Sequence, residues 1–215
     1  MGTKIENLAD PEVFRRGYEH IRAKDPVLGR ILDDHGVLRF EAEGDLFEAL
    51  VESILSQQLG GAAANSIIRK VRALYPGGRL EARSVYRTPR RQLRASGVSS
   101  QKITYLKDLS KRVSQGEIDL ESLRTMEDEK IMGLLDQVKG IGPWTVQMLL
   151  IFTLGRPDVF PMDDLGVKQG LRKVYSLREL PKKDEMKRLA ENWRPYRTVA
   201  SLYLWRQKDS EQRKG

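Results

Sequence analysis

The sequence predicts an all-α fold: two helical subdomains with a cleft between them and a helix–hairpin–helix in one of them. Three observations lead there. Apolar residues recur at helical spacing along most of the chain. Asp-Pro, Gly-Gly and Pro-Gly-Gly steps punctuate them at helix starts and stops. The tight Gly140-Ile141-Gly142-Pro143 step falls between two apolar helical patterns.

The elements follow in order. Asp10-Pro11 opens a helix through Phe14, Tyr18 and Ile21, and Asp25-Pro26 a second through Leu28, Ile31 and Leu32. Proline suits a first helical position, where its missing N–H costs nothing. Val37 to Phe40 reads as an extended piece. Asp45 caps the next helix, with Glu48 three residues on as a capping box, and Leu46, Phe47, Leu50, Val51, Ile54 and Leu55 as its buried face. Gly60-Gly61 interrupts it, and a helix resumes through Ile67, Ile68 and Val71 to Pro76-Gly77-Gly78. Thr88-Pro89 opens a short helix ending at Gly97. Ser99 or Ser100 leads another through Ile103, Leu106 and Leu109.

Met126 to Val138 is expected to be the first hairpin helix, and Pro143 opens the second through Val146, Leu149, Leu150 and Phe152. Asp163 is expected to lead a helix to Tyr175, and Asp184 one to Trp193. Arg194-Pro195 starts a last helix through Val199, Leu202 and Trp205, and the polar tail from Gln207 should fray. The organisation expected is residues 1–43 as N-terminal helices packing with the C-terminal subdomain, 44–156 as a central subdomain with the hairpin unit at about 127–154, and 157–215 as the C-terminal subdomain. Pro157 and Pro161 bracket the join.

Composition narrows the function. Lysine and arginine total 38 against 30 acidic residues, a net charge of +8 over 215 residues. Such a balance favours a polyanionic partner, because Lys and Arg neutralise phosphates. The chain has no cysteine, which removes disulfides, thiolate zinc sites and cysteine-held iron–sulfur clusters. His20 and His35, the two histidines, do not have metal-ligand spacing, so a histidine dyad or zinc site is not expected. The amino terminus lacks a signal peptide's apolar core and no apolar run is long enough for a membrane span. The expectation is an intracellular protein, cytoplasmic and nucleoid-associated, or nuclear in a eukaryote, with no membrane partner and a monomeric state.

The hairpin is the first candidate site. Gly140 and Gly142 flank Ile141 and let the backbone turn tightly and meet another backbone closely. Free N–H groups at the positive end of the following helix would make an anion site, with Lys139 adding charge at the tip. An ordinary helix–helix turn would look the same in isolation.

Asp163 and Asp164 are the second. A helix cap accounts for Asp163. The other, held as an anion by the helix dipole, could stabilise the positive charge that develops on a sugar when an N-glycosidic bond breaks. Trp144, Trp205 and Tyr196 are aromatic candidates for a base pocket. Indole faces attract flattened cations, and an alkylated purine is one. Trp193 reads as core. Gln57, Gln58 and Leu59, beside Gly60-Gly61, could sit at a loop tip that fills the gap left by an extruded base; a glycine-capped helix end is the alternative.

Together, the run from Val138 to Thr145, the segment Asp158-Val159-Phe160-Pro161-Met162-Asp163-Asp164 and Lys168-Gln169 resemble the helix–hairpin–helix–Gly/Pro/Asp superfamily of DNA glycosylases. The alkylpurine branch, of the 3-methyladenine DNA glycosylase II type, is the most similar. The resemblance covers roughly residues 10–208. It implies base excision, with a damaged nucleotide flipped out and its N-glycosidic bond hydrolysed. Asp164 then matches the catalytic aspartate, with Trp144, Trp205, Tyr196 and Gln57 as base-pocket candidates. Lys139, Gly140, Ile141, Gly142, Thr145, Gln58 and Leu59 are DNA-binding candidates. Gln58 matches the wedge position, where the best-known alkylpurine member has leucine, so Leu59 is a substitute.

Trp144 falls where bifunctional members carry a Schiff-base lysine, which implies a monofunctional enzyme. The implied partner is double-stranded DNA containing alkylated bases, such as 3-methyladenine and 7-methylguanine. No cofactor is implied for catalysis; a structural Na+ or K+ could be held by the main-chain carbonyls of Val138 and Ile141. Larger alkylpurine enzymes carry an N-terminal β-rich lobe, whereas about forty residues precede Asp45 here. Two alternatives stand beside this reading: a non-catalytic module binding lesions or distorted DNA, and a glycosylase for deaminated or etheno bases.

Overall fold

The computed structural model describes residues 5–42 and 44–209. Among these the regular structure is helical and no strand occurs. Twelve α-helices are found in the described residues: α1 (Pro11–Lys24), α2 (Pro26–His35), α3 (Leu46–Ser56), α4 (Gly61–Arg72), α5 (Ala82–Arg87), α6 (Arg90–Ala95), α7 (Ser100–Ser114), α8 (Asp128–Leu135), α9 (Pro143–Phe152), α10 (Leu165–Val174), α11 (Lys183–Glu191) and α12 (Arg197–Asp209). They form two compact units, Gly44–Leu149 and a second made of Met1–Glu43 with Leu150–Gly215. The division falls inside α9, upstream of the Pro157–Pro161 connector.

In the discontinuous unit, α12 packs on α10, α1 and α2. Its centre is mainly apolar, with Leu28, Leu32, Trp193, Val199 and Tyr203 all out of contact with solvent. Asp25 ties this core together. One of its oxygens caps α2 by accepting the amides of Val27 and Leu28 at 3.2 and 3.0 Å. The other accepts the Trp193 indole N–H at 2.8 Å and the Tyr175 hydroxyl. A carboxylate only 7% exposed is tolerated because every oxygen has donors. Burial, and then this carboxylate, push the Tyr175 hydroxyl well above its ordinary pKa, so it stays a donor.

The connector into α10 is fastened to the start of α12. Arg197 chelates Asp158 through Nε and Nη2 at 2.6 and 3.0 Å. Thr198 donates its hydroxyl to the Arg156 carbonyl at 2.7 Å and accepts the Val159 amide at 2.9 Å. Two elements far apart in sequence are thus held in one register, which matters for the site below.

In the Gly44–Leu149 unit, α7 is the central element, packed by α3, α5 and α6. Leu50, Ile54, Leu93, Leu106 and Leu135 are fully buried there. Asp45 caps α3 by accepting the Glu48 amide at 3.0 Å. The reciprocal half of the expected capping box is not formed. Glu48 accepts instead from Arg72 at 2.7 Å and from the Leu80 amide at 2.7 Å, because an arginine and a backbone donor outcompete the amide at its own helix start.

Several expectations need correction. The segment from Val37 to Phe40 forms no strand. Helix α5 is an addition to the expected elements, because six residues with an uncapped start carry too little periodicity to announce a helix. Helix α8 is shorter than the span to Val138; its end passes into turns closed by Val138 N–H to the Leu135 carbonyl, 3.0 Å. Asp164, not Asp163, caps α10. Lys182, not Asp184, precedes α11, and Asp184 lies in its first turn. The last helix starts at Arg197, past the proline, because a turn from the Tyr196 amide to the Trp193 carbonyl (2.7 Å) intervenes. It continues to Asp209, into the segment expected to fray; residues 210–215 of that tail lie outside the described residues. No helix among the described residues is long and apolar enough to cross a membrane.

Candidate active site and nucleic-acid interface

The aspartate pair separates into two roles. Asp164 has extended backbone (φ −70°, ψ 125°) and its Oδ1 accepts the Val167 amide at 2.8 Å, the geometry of an N-cap. The same Oδ1 accepts the Trp205 indole N–H at 2.8 Å. Two N–H donors from α10 and α12 therefore fix the carboxylate's orientation at the positive end of a helix. Asp163 is exposed and pairs with Lys183 at 2.8 Å, with Lys168 further off at 3.9 Å. The hydrogen bond from Lys183 holds its carboxyl below the ordinary value.

Trp205 can reach Asp164 because α10 carries glycine where α12 crosses. A Cβ on Gly166 would lie 2.8 Å from Trp205 Cδ1 and 3.0 Å from Asp164 Oδ1, and one on Gly170 would overlap the Leu204 backbone. The Gly166-x-x-x-Gly170 spacing places both on one face. That spacing is the one signal in the sequence for this contact, and it is absent from the motifs singled out above.

The other face of Trp205 continues an aromatic array. Phe152 stacks on it with centroids 5.6 Å apart and planes at 29°, and Phe40 meets Phe152 at 6.4 Å. Together with Leu38, Leu202 and two arginines, Arg39 and Arg206, these rings line a recess of about 330 Å³. Its size falls in the range of small-molecule sites. Phe152 remains 43% exposed, a large apolar face left in solvent. Phe40 and Phe152 were missed as site residues, since an aromatic at helical spacing reads as core.

Tyr196 is not among the residues lining this recess. It precedes α12 and its ring meets His20 of α1, centroids 5.6 Å apart, over Gly17. His20 and His35 are separate, with His20 at the Asn192 carbonyl and His35 at Gln207. No cluster of three or more carboxylate or histidine ligands occurs among the described residues.

The hairpin in the other unit is braced from two sides. Gly140 adopts φ +82°, and the Tyr105 ring of α7 lies where its Cβ would be. Only glycine meets both conditions. The Lys139 amide donates to Asp108 of α7 at 3.0 Å, so this N–H is committed within the protein rather than offered outward. The Gly140 carbonyl accepts Gln57 Nε2 at 2.7 Å. Gln57, expected at a base pocket, is thus also a brace of the hairpin through its side-chain amide. Lys102 in turn holds the end of α3, donating to the carbonyls of Leu55 and Gln57 at 2.6 and 2.7 Å.

Beyond this brace, Lys139 is exposed, Ile141 is buried and Thr145 is buried beneath the start of α9. The Gly140 and Gly142 amides make no backbone hydrogen bond among the described residues. Val138's carbonyl accepts the Ile141 amide at 3.1 Å and keeps a second lone pair, so neutral oxygen donors for a hard monovalent cation fit the turn. Trp144, at the start of α9, is 43% exposed. Gln58 is exposed in the left-handed region (φ +57°), a conformation uncommon outside glycine and asparagine. Leu59 beside it is 39% exposed. The Gln58–Leu59 tip thus projects from the α3–α4 turn in an unusual backbone state of the kind that gathers at functional loops.

The described residues thus carry a braced glycine hairpin in one unit and, in the other, a carboxylate fixed by two N–H donors beside an aromatic recess. Comparison gives the family. Residues 51–195 match the HhH-GPD superfamily of base excision DNA repair proteins, and the chain belongs to it. It is 36% identical over 162 residues to Schizosaccharomyces pombe DNA-3-methyladenine glycosylase 1, covering 74% of this chain and 71% of that one. Bacillus subtilis YfjP is 33% identical over 189 residues, and the chain spans 64% of its length. Among solved structures, the S. pombe 3-methyladenine DNA glycosylase Mag1 in complex with abasic DNA superposes with a TM-score of 0.81 at 33% identity, over 89% of this chain and 95% of that one. A Bacillus halodurans DNA-3-methyladenine glycosidase superposes at 0.84, with 32% identity over 99% and 95%.

Proposed function

We propose that this protein is a DNA glycosylase of base excision repair that hydrolyses the N-glycosidic bond of N-alkylated purines, such as 3-methyladenine and 7-methylguanine. The observation that carries the reading is Asp164, oriented by the Val167 and Trp205 N–H groups next to an aromatic recess. As the C1′–N bond of a flipped nucleotide lengthens, the bonding pair leaves with the base and the sugar becomes an oxocarbenium-like cation. A fixed carboxylate needs no reorganisation to stabilise that charge. Water then adds to C1′ and loses a proton, leaving an abasic site.

Alkylation makes the purine cationic and so a better leaving group, and the Trp205 and Phe152 faces favour a flat cation over a neutral base. Trp144 stands where bifunctional members of the superfamily carry a lysine. An indole has no amine to condense with the abasic aldehyde, so the enzyme is monofunctional. The hairpin around Gly140 and Gly142 takes a backbone phosphate, with Lys139 adding charge. The Gln58–Leu59 tip enters the stack where the base has left. Val138 and Ile141 carbonyls would hold a Na+ or K+ that supports the turn and takes no part in the chemistry. The protein acts as a monomer on double-stranded DNA.

The test is a panel of duplexes carrying 3-methyladenine, 7-methylguanine, hypoxanthine or ethenoadenine, with free base and strand nicking scored separately. Release of the two cationic purines without nicking is the expected result. Release of hypoxanthine or ethenoadenine in preference would overturn the substrate class, and nicking that persists after removal of contaminating nucleases would overturn monofunctionality.

A further inference from the structure

The Gly44–Leu149 unit carries an arginine surface that the hairpin does not account for. Between residues 79 and 94 the chain has six arginines and one glutamate, so this stretch holds a net +5 of the whole protein's +8. Arg83 and Arg87 lie on α5 and Arg90, Arg91 and Arg94 on α6, all exposed. None of the five makes an ion pair with a carboxylate among the described residues. By contrast, all three arginines of α1 pair with carboxylates, as do Arg72 of α4 and Arg112 of α7.

The placement is costly to the apo protein. Arg83 and Arg87, and again Arg90 and Arg94, are i,i+4 like-charge pairs, each destabilising by about 0.2–0.5 kcal/mol. A solvated basic face would be expected to intersperse acids. This one instead keeps its charge bare on two short helices. Those helices are held firmly: Lys107 of α7 donates to the carbonyls of Val85 and Tyr86 at 3.0 and 2.6 Å and also to that of Thr88, closing the end of α5.

The surface is also mechanically joined to the hairpin. Arg90 reaches Thr104 Oγ1 of α7 at 3.4 Å. The adjacent Tyr105 and the following-turn Asp108 are the residues that brace Gly140 and Lys139. Arg90 and the hairpin thus both contact the same turn and a half of α7.

We propose that the α5–α6 arginine surface is a second phosphate-binding surface, which extends the hairpin's grip along the backbone of the same DNA duplex. It rests on the reading of the protein as a DNA-acting enzyme. Its contacts are to phosphate, so they add affinity for any sequence and take no part in bond cleavage.

Arg83, Arg87 and Arg91 make no side-chain hydrogen bond among the described residues, so replacing them leaves the fold intact. The experiment measures binding of the full chain to an undamaged 25-base-pair duplex across a salt series. Variants are R83Q/R87Q/R91Q, the charge-retaining R83K/R87K/R91K, and K24Q/K182Q/K187Q as an equal charge loss in the other unit. Removing three arginine–phosphate pairs should flatten the slope of log K against log salt by about 2–3, with the lysine variant near wild type and the control little changed. Base release from a lesion duplex at saturating enzyme should stay within about twofold of wild type. An unchanged slope in the glutamine variant would overturn the proposal, as would an equal flattening in the control, which would mean a diffuse field. If wild type releases no alkylated base while the slope still flattens selectively, the surface stands and the proposed substrate class fails.

Discussion

At the scale of single residues, the fate of the two adjacent aspartates shows how position assigns chemistry. Asp163 and Asp164 are chemically equal, yet one faces lysines on the surface and the other meets the Val167 and Trp205 N–H groups. The indole is thus a positioning group as well as a pocket wall, and the two roles can be separated. Trp205→Phe keeps a ring against Phe152 and removes the donor. A hydrogen bond to a charged group contributes about 1.5–3 kcal/mol, so kcat for base release should fall roughly 10–100-fold with KM changed little. A loss confined to KM would assign Trp205 to base binding alone. Gly166→Ala should produce a related loss, because its Cβ would displace the Trp205 edge or Asp164. Sequence patterns named this pair but misassigned the cap. The cap itself is local, the Val167 amide three residues on, but the Trp205 contact that further fixes Asp164 comes from 41 residues away, beyond the reach of a local rule.

At the scale of elements, the hairpin works as a part supported by α7 and the end of α3. Gly140→Ala meets both a left-handed backbone and the Tyr105 ring. We expect a destabilisation of about 2–4 kcal/mol, read as a lower thermal midpoint and weaker DNA binding together. Tyr105→Ala should relieve the overlap and recover part of that loss in the double variant.

Elsewhere in the same unit, Glu48 is held below its ordinary value of 4.5. Burial pushes it upward, but hydrogen bonds from Arg72 and the Leu80 amide outweigh that. A depressed folded pKa means the stabilisation is complete above pH 4.5 and is lost as pH falls through the lower folded value. Glu48→Gln should therefore destabilise at pH 7 and show a shallower loss of stability below pH 4.5 than wild type, measured by urea unfolding at each pH. Hairpin and helices were visible in the sequence because Gly-x-Gly-Pro and apolar periodicity are local signals. The braces from Gln57, Tyr105 and Asp108 were not, because each joins residues tens of positions apart.

At the scale of the whole molecule, the features behind the proposed function are divided between two units: the braced hairpin and the Gln58–Leu59 tip in Gly44–Leu149, the fixed carboxylate and aromatic recess in the discontinuous one. The all-α class and the family were legible from composition, punctuation and the hairpin-plus-aspartate motif. The uneven distribution of charge was not drawn from the net +8, because a total conceals that most of it sits in sixteen residues. The aromatic recess was legible only through Trp205. Phe40 and Phe152 join it through packing that brings the segment before α3, the end of α9 and α12 together.

In the proposed mechanism the Asp164 carboxylate, oriented by the Val167 and Trp205 N–H groups, stabilises the sugar cation. Single-turnover release of 7-methylguanine from a defined duplex, by wild type and Asp164→Asn, tests it most directly. Asparagine keeps the cap's acceptor oxygen and removes the charge, so DNA affinity should hold within a few-fold while release slows by about 10³ or more. Release at the wild-type rate from the asparagine variant would contradict the account.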